Sequence, residues 1–138
     1  MDNVSKEKRS EIMSKIRSKN TTPEIKVRKL LHSMGYRFRL HRKDLPGKPD
    51  IVLPKYKTVI FVHGCFWHGH EGCRYAVIPK SNTHYWKNKI NNNISRDNNN
   101  LILLSELKWK VLIIWECELI NLDLLTFKIK SAVVNKGI

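Results

Sequence analysis

The stretch HGCFWHGHEGC, residues 63–73, restricts the fold of this chain more than any other segment. It packs three histidines, two cysteines and two large aromatic side chains together, with three glycines between them. Thiolates and imidazoles hold zinc tetrahedrally, and Cys65, His70 and Cys73 form a C-x4-H-x2-C set in a loop whose glycines let it wrap a small ion. A fourth ligand is needed. The remaining cysteine, Cys117, ends the apolar run WKVLIIWEC. If that run is a strand lying parallel to KTVIFVHG, its carboxyl end meets the base of the loop, and the chain must fold so that two distant segments close one Cys3His site. Such a site is structural, because no position is left for water. Taken singly, Cys117 reads as an inert buried thiol, His70 as a solvated loop histidine, and His68 as a ligand in place of His70.

The rest of the chain alternates helical and extended patterns. TTPEIKVRKLLHSMG has Thr21 or Thr22 as N-cap and Pro23 and Glu24 in the first turn. Its apolar residues are Ile25, Val27, Leu30, Leu31 and Met34, and Gly35 is the stop. YRFRLH alternates as an edge strand does, and a basic loop ending in LPGKP follows. PDIVLP and KTVIFVHG, separated by Pro54 and Lys55, read as adjacent antiparallel strands. Residues 81–108 carry Trp86, Ile90, Ile94, Leu101, Leu104 and Leu107 near helical spacing and read as a helix despite the Asn-rich middle, the alternative being a break near Asn98. WKVLIIWEC reads as a strand buried on both faces, and residues 123–134 as a last helix. The order is α/β with a mixed sheet. At the front, residues 5–19 place Ile12, Met13 and Ile16 at helical spacing among many charges. Residues 1–20 are therefore expected to be a basic arm, and 21–138 a single domain.

The net charge of +14 is unevenly spread: residues 1–57 hold 16 Lys/Arg against 6 Asp/Glu, and residues 58–138 hold 10 against 6. Such a field favours a polyanion, most commonly nucleic acid, although a solvated basic face or an acidic membrane surface gives the same count. No apolar run approaches the roughly 20 residues of a membrane span. The N-terminus lacks the apolar centre of a signal peptide, so a cytoplasmic protein is expected.

If the zinc takes His70, then His63 and His68 remain free to face a common substrate, and histidine exchanges protons near neutral pH. His63 reads equally as a histidine bonded to a neighbouring strand. Asp50 enters a strand after a Pro-Gly-Lys-Pro turn, among Arg42, Lys43 and Lys48. A carboxylate there can hold Mg2+ against a phosphate, since waters and phosphate oxygens complete the octahedron. It can also be a turn aspartate capping a backbone group.

GKPD at 47–50, IFVHGCFWH at 60–68, YWKNKINNNISRD at 85–97 and VLIIWEC at 111–117 together resemble the very-short-patch repair endonucleases, over residues 9–117. The resemblance implies a restriction-endonuclease-like fold with structural zinc, and Mg2+-dependent nicking of double-stranded DNA 5′ of the thymine in a T:G mismatch. Such a mismatch arises when 5-methylcytosine deaminates, so a cytosine-5 DNA methyltransferase is the implied functional companion of a monomeric enzyme. It implies Asp50 as the principal magnesium ligand with the carbonyl of Val62, His68 as general acid/base, and His63 and Glu24 in support. Phe66 and Trp67 are implied to enter the duplex, and Met13 to wedge in from the other groove. Trp86, Lys89, Arg96 and Asp97 are the further implied contacts to the mismatched DNA. A T:G wobble pair stacks poorly, so inserted aromatic rings can discriminate by deformation energy. Two departures stand out: Val62 replaces a common Thr, and the NNNISRDNNN run has lost basic residues. The alternatives are a same-fold nuclease of other specificity and a non-catalytic binder of distorted DNA.

Overall fold

The computed structural model describes residues 20–134. The expected arm at 5–19, Met13 included, lies outside the described residues, as do residues 135–138.

Four strands form one sheet in the order β1 (Arg39–Leu40), β2 (Ile51–Leu53), β3 (Thr58–His63) and β4 (Lys110–Trp115). β1 with β2 and β2 with β3 are antiparallel, whereas β3 and β4 are parallel, with Val59 opposite Val111 and His63 opposite Trp115. Among the described residues three helices, α1 (Thr22–Ser33), α2 (Thr83–Glu106) and α3 (Leu122–Ala132), complete an α/β fold with a mixed sheet. Period-two alternation splits the sheet's apolar residues between two cores. Ile51, Leu53, Ile60, Leu112 and Ile114 pack with Val27 and Leu31 of α1 and Leu125 and Ile129 of α3. Val52, Val59 and Phe61 pack with Leu104 of α2 and Leu45 on the other face. Among the described residues no helix is long and apolar enough to cross a membrane.

The α1 start is as expected: Thr21 is the N-cap, its hydroxyl accepting from the Glu24 N–H at 3.4 Å. The first strand shrinks from YRFRLH to Arg39–Leu40, both exposed at the sheet edge. α2 runs unbroken through Asn98, as its apolar spacing leads one to expect, and the alternative break is absent. The seven asparagines of the helix together cost at most roughly 5 kcal/mol of propensity relative to alanine, a sum that two buried aliphatic side chains at roughly 1.5–3 kcal/mol each can match. Ile90 and Leu104 supply that burial.

β4 also differs from expectation. It is an edge strand in which Leu112 and Ile114 are buried and the other four residues only partly so. Its apolar run reflects helices on both faces, while its outer edge has no neighbouring strand among the described residues. The strand stops at Trp115, and Cys117 sits on the short 3-10 turn Glu116–Ile120. That turn is tied down twice. The Trp115 N–H donates to Glu118 Oε1 at 2.8 Å, and Lys128 of α3 donates to the same carboxylate at 2.7 Å and to the Ile113 carbonyl at 2.8 Å.

Candidate functional site

Three groups of polar side chains gather where β3 ends and β2 begins. The first is the thiol cluster. Parallel pairing of β3 with β4 sends both chains out at one end of the sheet, so the 64–73 loop and the 116–120 turn meet there. Cys65, His70, Cys73 and Cys117 each place one ligand atom so that all four lie within 4.8 Å of one another. His70 Nδ1 is 3.5 Å from Cys117 Sγ, and its ring stacks on Trp115 with centroids 4.0 Å apart. His70, not His68, thus belongs with the thiols. Burial pushes the Cys65 thiol up to about 12, and the adjoining Cys117 and Cys73 add to the rise. Burial raises Cys117 as well, while backbone N–H donation from Tyr75 lowers Cys73. The donor set fits a tetrahedral Zn2+, which would convert these crowded thiols into ligating thiolates.

The loop rests on α2 through a glycine. Gly69 has φ +61°, and a Cβ there would stand 2.7 Å from Ile94 Cδ1 and 2.8 Å from Ile90 Cγ2. Any side chain would push the loop off the helix. Asn93 adds a clamp, donating from Nδ2 to the Trp67 carbonyl at 2.8 Å.

The second group contains the spare histidines. His68 Nδ1 lies 2.7 Å from Asp97 Oδ2, so the carboxylate accepts the Nδ1–H and leaves Nε2 as the atom able to exchange a proton. His63 is buried and stacks on His68, the ring centroids 3.8 Å apart and the planes 4° from parallel. Burial lowers His63 to about 4, and neighbouring His68 lowers it further against the pull of Asp97. His63 is therefore neutral near pH 7, and its buried Nδ1 has no partner among the described residues. Asp97 was expected among the DNA contacts; the geometry puts it behind His68.

The third group is built on α1 and the start of β2. Asp50 Oδ2 accepts from the Val62 N–H at 2.8 Å. Burial pushes Asp50 up to about 7; the Val62 N–H opposes this, and the charge of Glu24 adds to it. Glu24 is buried, its Oε2 accepting from the Asn20 N–H at 2.9 Å, Arg28 at 3.0 Å and His41 Nε2 at 3.1 Å. Ligand atoms of Glu24, His41 and Asp50 lie within 4.8 Å of one another. A hard cation suits these carboxylates, and it would relieve the cost of ionising Asp50. His41 was not expected. Its backbone is left-handed at φ +48°, a turn conformation that no apolar pattern announces.

Phe66 and Trp67 belong to neither core cluster. Both are half-buried and meet Trp86 of α2 edge-on, at 5.4 and 5.8 Å, with 5.2 Å between themselves; Tyr85 continues the group at 5.0 Å from Trp86. Lys89 and Arg96 are exposed on the same helix, Arg96 bonded to Asn93. The site therefore has a histidine bonded to a carboxylate, buried acids, a candidate metal clamp and an aromatic cluster within one end of the fold.

A family model described as DNA mismatch endonuclease Vsr matches residues 1–74. The chain is 53% identical over 130 residues to the type II nicking enzyme V.XorIIP of Xanthomonas oryzae pv. oryzae, spanning 94% of this chain and 95% of that protein. It is 51% identical over 133 residues to the type II nicking enzyme V.NmeAIP of Neisseria meningitidis serogroup A, spanning 91% and 94%. Against the DNA mismatch endonuclease Vsr of Escherichia coli it is 42% identical over 118 residues, spanning 86% and 75%.

Proposed function

This chain belongs to the Vsr family of DNA mismatch endonucleases, and from that premise we propose that it nicks double-stranded DNA 5′ of the thymine in a T:G mismatch. The observation that carries the reading is the convergence of the Asp50–Glu24 acids and the Asp97–His68–His63 row at one sheet end that also bears the Phe66–Trp67–Trp86 cluster. Relatives described as nicking enzymes and as a mismatch endonuclease support the reaction class. In this reading the layered sheet is a restriction-endonuclease-like domain over residues 21–138, and residues 1–20 form a basic arm that brings Met13 to the DNA.

Asp50 and the Val62 carbonyl are the residues that would hold Mg2+, with Glu24 behind them. Bound there, the ion supplies charge stabilisation on the transferring phosphoryl group and the departing 3′-oxygen. His68 takes a proton from the attacking water at Nε2, and Asp97 stabilises the imidazolium through Nδ1. His63, kept neutral by burial, fixes the His68 ring by stacking and excludes water from its inner face. Cys65, His70, Cys73 and Cys117 would hold Zn2+ and so fix the loop that carries Phe66 and Trp67. Held rigid, Phe66 and Trp67 enter the duplex as a unit with Trp86, and opening a T:G step costs less than opening a paired one. Lys89 and Arg96 contact the adjoining strand. The enzyme works as a monomer in the bacterial cytoplasm, and its substrate arises where a cytosine-5 DNA methyltransferase has acted.

Labelled duplexes bearing one T:G pair, incubated with Mg2+ and mapped on both strands, test the proposal. A single cut 5′ of the mismatched thymine is expected. Equal cutting of fully paired duplex, or binding without cutting at any Mg2+ concentration, would replace it by one of the two alternatives.

A further inference from the structure

The far end of the β2–β3 hairpin carries a second feature that the mismatch reaction does not use. A groove of about 360 Å3 is lined by Gly35, Tyr36, Arg37, Phe38, Arg39, Pro54, Lys55 and Tyr56. β3 has six residues, and at roughly 3.3 Å per residue its two ends stand about 17 Å apart. No phosphate can be shared between the groove and His63.

The groove has an aromatic floor and a cationic rim. Tyr36, Phe38 and Tyr56 are half-buried against the α1–α3 core, with Tyr36 and Tyr56 edge-to-face at 5.6 Å and 79°. Arg37, Arg39 and Lys55 are exposed, and Lys55 Nζ stands 5.7 Å from the Tyr56 ring centroid. Among the described residues no carboxylate lines the groove. Core packing accounts for the floor. It does not account for three cations around an open cavity with no acid among them, an arrangement that repels itself until an anion enters. The complement is a molecule with one flat apolar face and a negative group a few ångströms away. The cavity lies within the roughly 300–1,000 Å3 range of small-ligand sites. That is the size of one nucleotide unit, whereas an intact duplex would need an open cationic surface.

We propose that this groove is a second nucleic-acid subsite that takes one unpaired nucleotide, its base against Tyr36, Phe38 and Tyr56 and its phosphate among Arg37, Arg39 and Lys55. Base–aromatic stacking tolerates any base, so the subsite reads strandedness rather than sequence. It does not depend on the reaction at Asp50.

The test is a titration of the isotopically labelled full-length, zinc-loaded chain, following backbone amides of residues 35–39 and 54–56 by NMR. The probes are thymidine 5′-monophosphate, a hexamer of oligothymidylate and a blunt, fully paired twelve-base-pair duplex. Saturable shifts in the groove with the hexamer are expected. Equal response to the mononucleotide would identify free nucleotide as the ligand, and response to the hexamer alone would identify unpaired DNA; both support the subsite. Arg39→Glu with Lys55→Glu should weaken hexamer binding at least about tenfold, while Lys26→Glu with Lys29→Glu, the same charge change on exposed residues of α1, should not. Groove shifts with the paired duplex only, no saturable shift, or equal losses in both double variants would overturn the proposal. Asp50→Ala should leave the groove shifts intact, so a chain that fails to nick T:G DNA still tests the subsite independently.

Discussion

The thiol cluster and the carboxylate cluster both suit a cation, yet they are supported in opposite ways. Glu24 and Asp50 are held by regular structure: a capped helix, a strand start and the Val62 amide of the neighbouring strand. Cys65, His70, Cys73 and Cys117 come instead from a loop and a 3-10 turn more than forty residues apart in sequence, the loop anchored on α2 by Asn93 and the turn on α3 by Lys128. An ion at the carboxylates can therefore come and go without changing the fold, which suits chemistry. An ion at the thiols is part of the fold, which suits holding the aromatic loop.

The largest effect that could break this contrast is chemical. Asp50→Ala should lower T:G nicking by at least about a thousandfold, the scale expected when a catalytic metal ligand is lost, while the thermal transition and DNA binding persist. Single-turnover cleavage with the far-UV spectrum as control measures it, and activity within tenfold of wild type would remove Asp50 from its role. Next comes Cys117→Ala, which should leave the protein with little zinc and lower nicking about a hundredfold through a displaced loop. Metal content per chain and single-turnover rate decide this, and full activity without zinc would make the thiols incidental.

Asp97→Asn sharpens the comparison within the chemical half. Loss of the carboxylate behind His68 should lower the rate by about 10–100-fold, as for other partners that orient a histidine. DNA binding should not change. A rate unchanged at every pH would return Asp97 to the DNA contacts.

The smallest effect is on stability. Asp50 is raised to about 7 by burial, so its contribution to the metal-free fold is fully present below its unfolded pKa and is lost as pH rises through about 7. Metal-free Asp50→Asn should therefore melt a few degrees above wild type at pH 8, with the difference vanishing below about pH 4. Mg2+ should raise the wild-type melting temperature and leave that of Asp50→Asn unchanged. Its apparent affinity should climb about tenfold per pH unit up to pH 7 and level off beyond it. Scanning calorimetry across pH measures both trends, and an unchanged difference from pH 4 to 8 would contradict the buried acid.

Much of this was legible in residue types. The Cys/His spacing and the parallel pairing of the two apolar runs sufficed to unite Cys117 with the loop, because strand register fixes where chain ends meet. Thr21, Pro23 and Gly35 marked α1 because caps are local. The helical spacing of Ile90, Ile94, Leu101 and Leu104 marked α2, but whether it breaks at Asn98 was not legible, since the burial of Ile90 and Leu104 counts only once the sheet is present. An edge strand covered by helices on both faces has the same apolar run as a central one, so the position of β4 was hidden. His41 and the His68–Asp97 bond depend on a left-handed turn and on the rotation of α2 against the loop, neither of which leaves a pattern in sequence.

The most direct test of the division of labour is the binding preference for a T:G duplex over an otherwise identical T:A duplex, measured by fluorescence anisotropy on zinc-loaded and zinc-stripped protein. The account predicts a clear preference for T:G in the loaded protein, retained in Asp50→Ala and lost on stripping. A stripped protein that still prefers T:G would show that the thiol cluster does not hold the rings that recognise the mismatch.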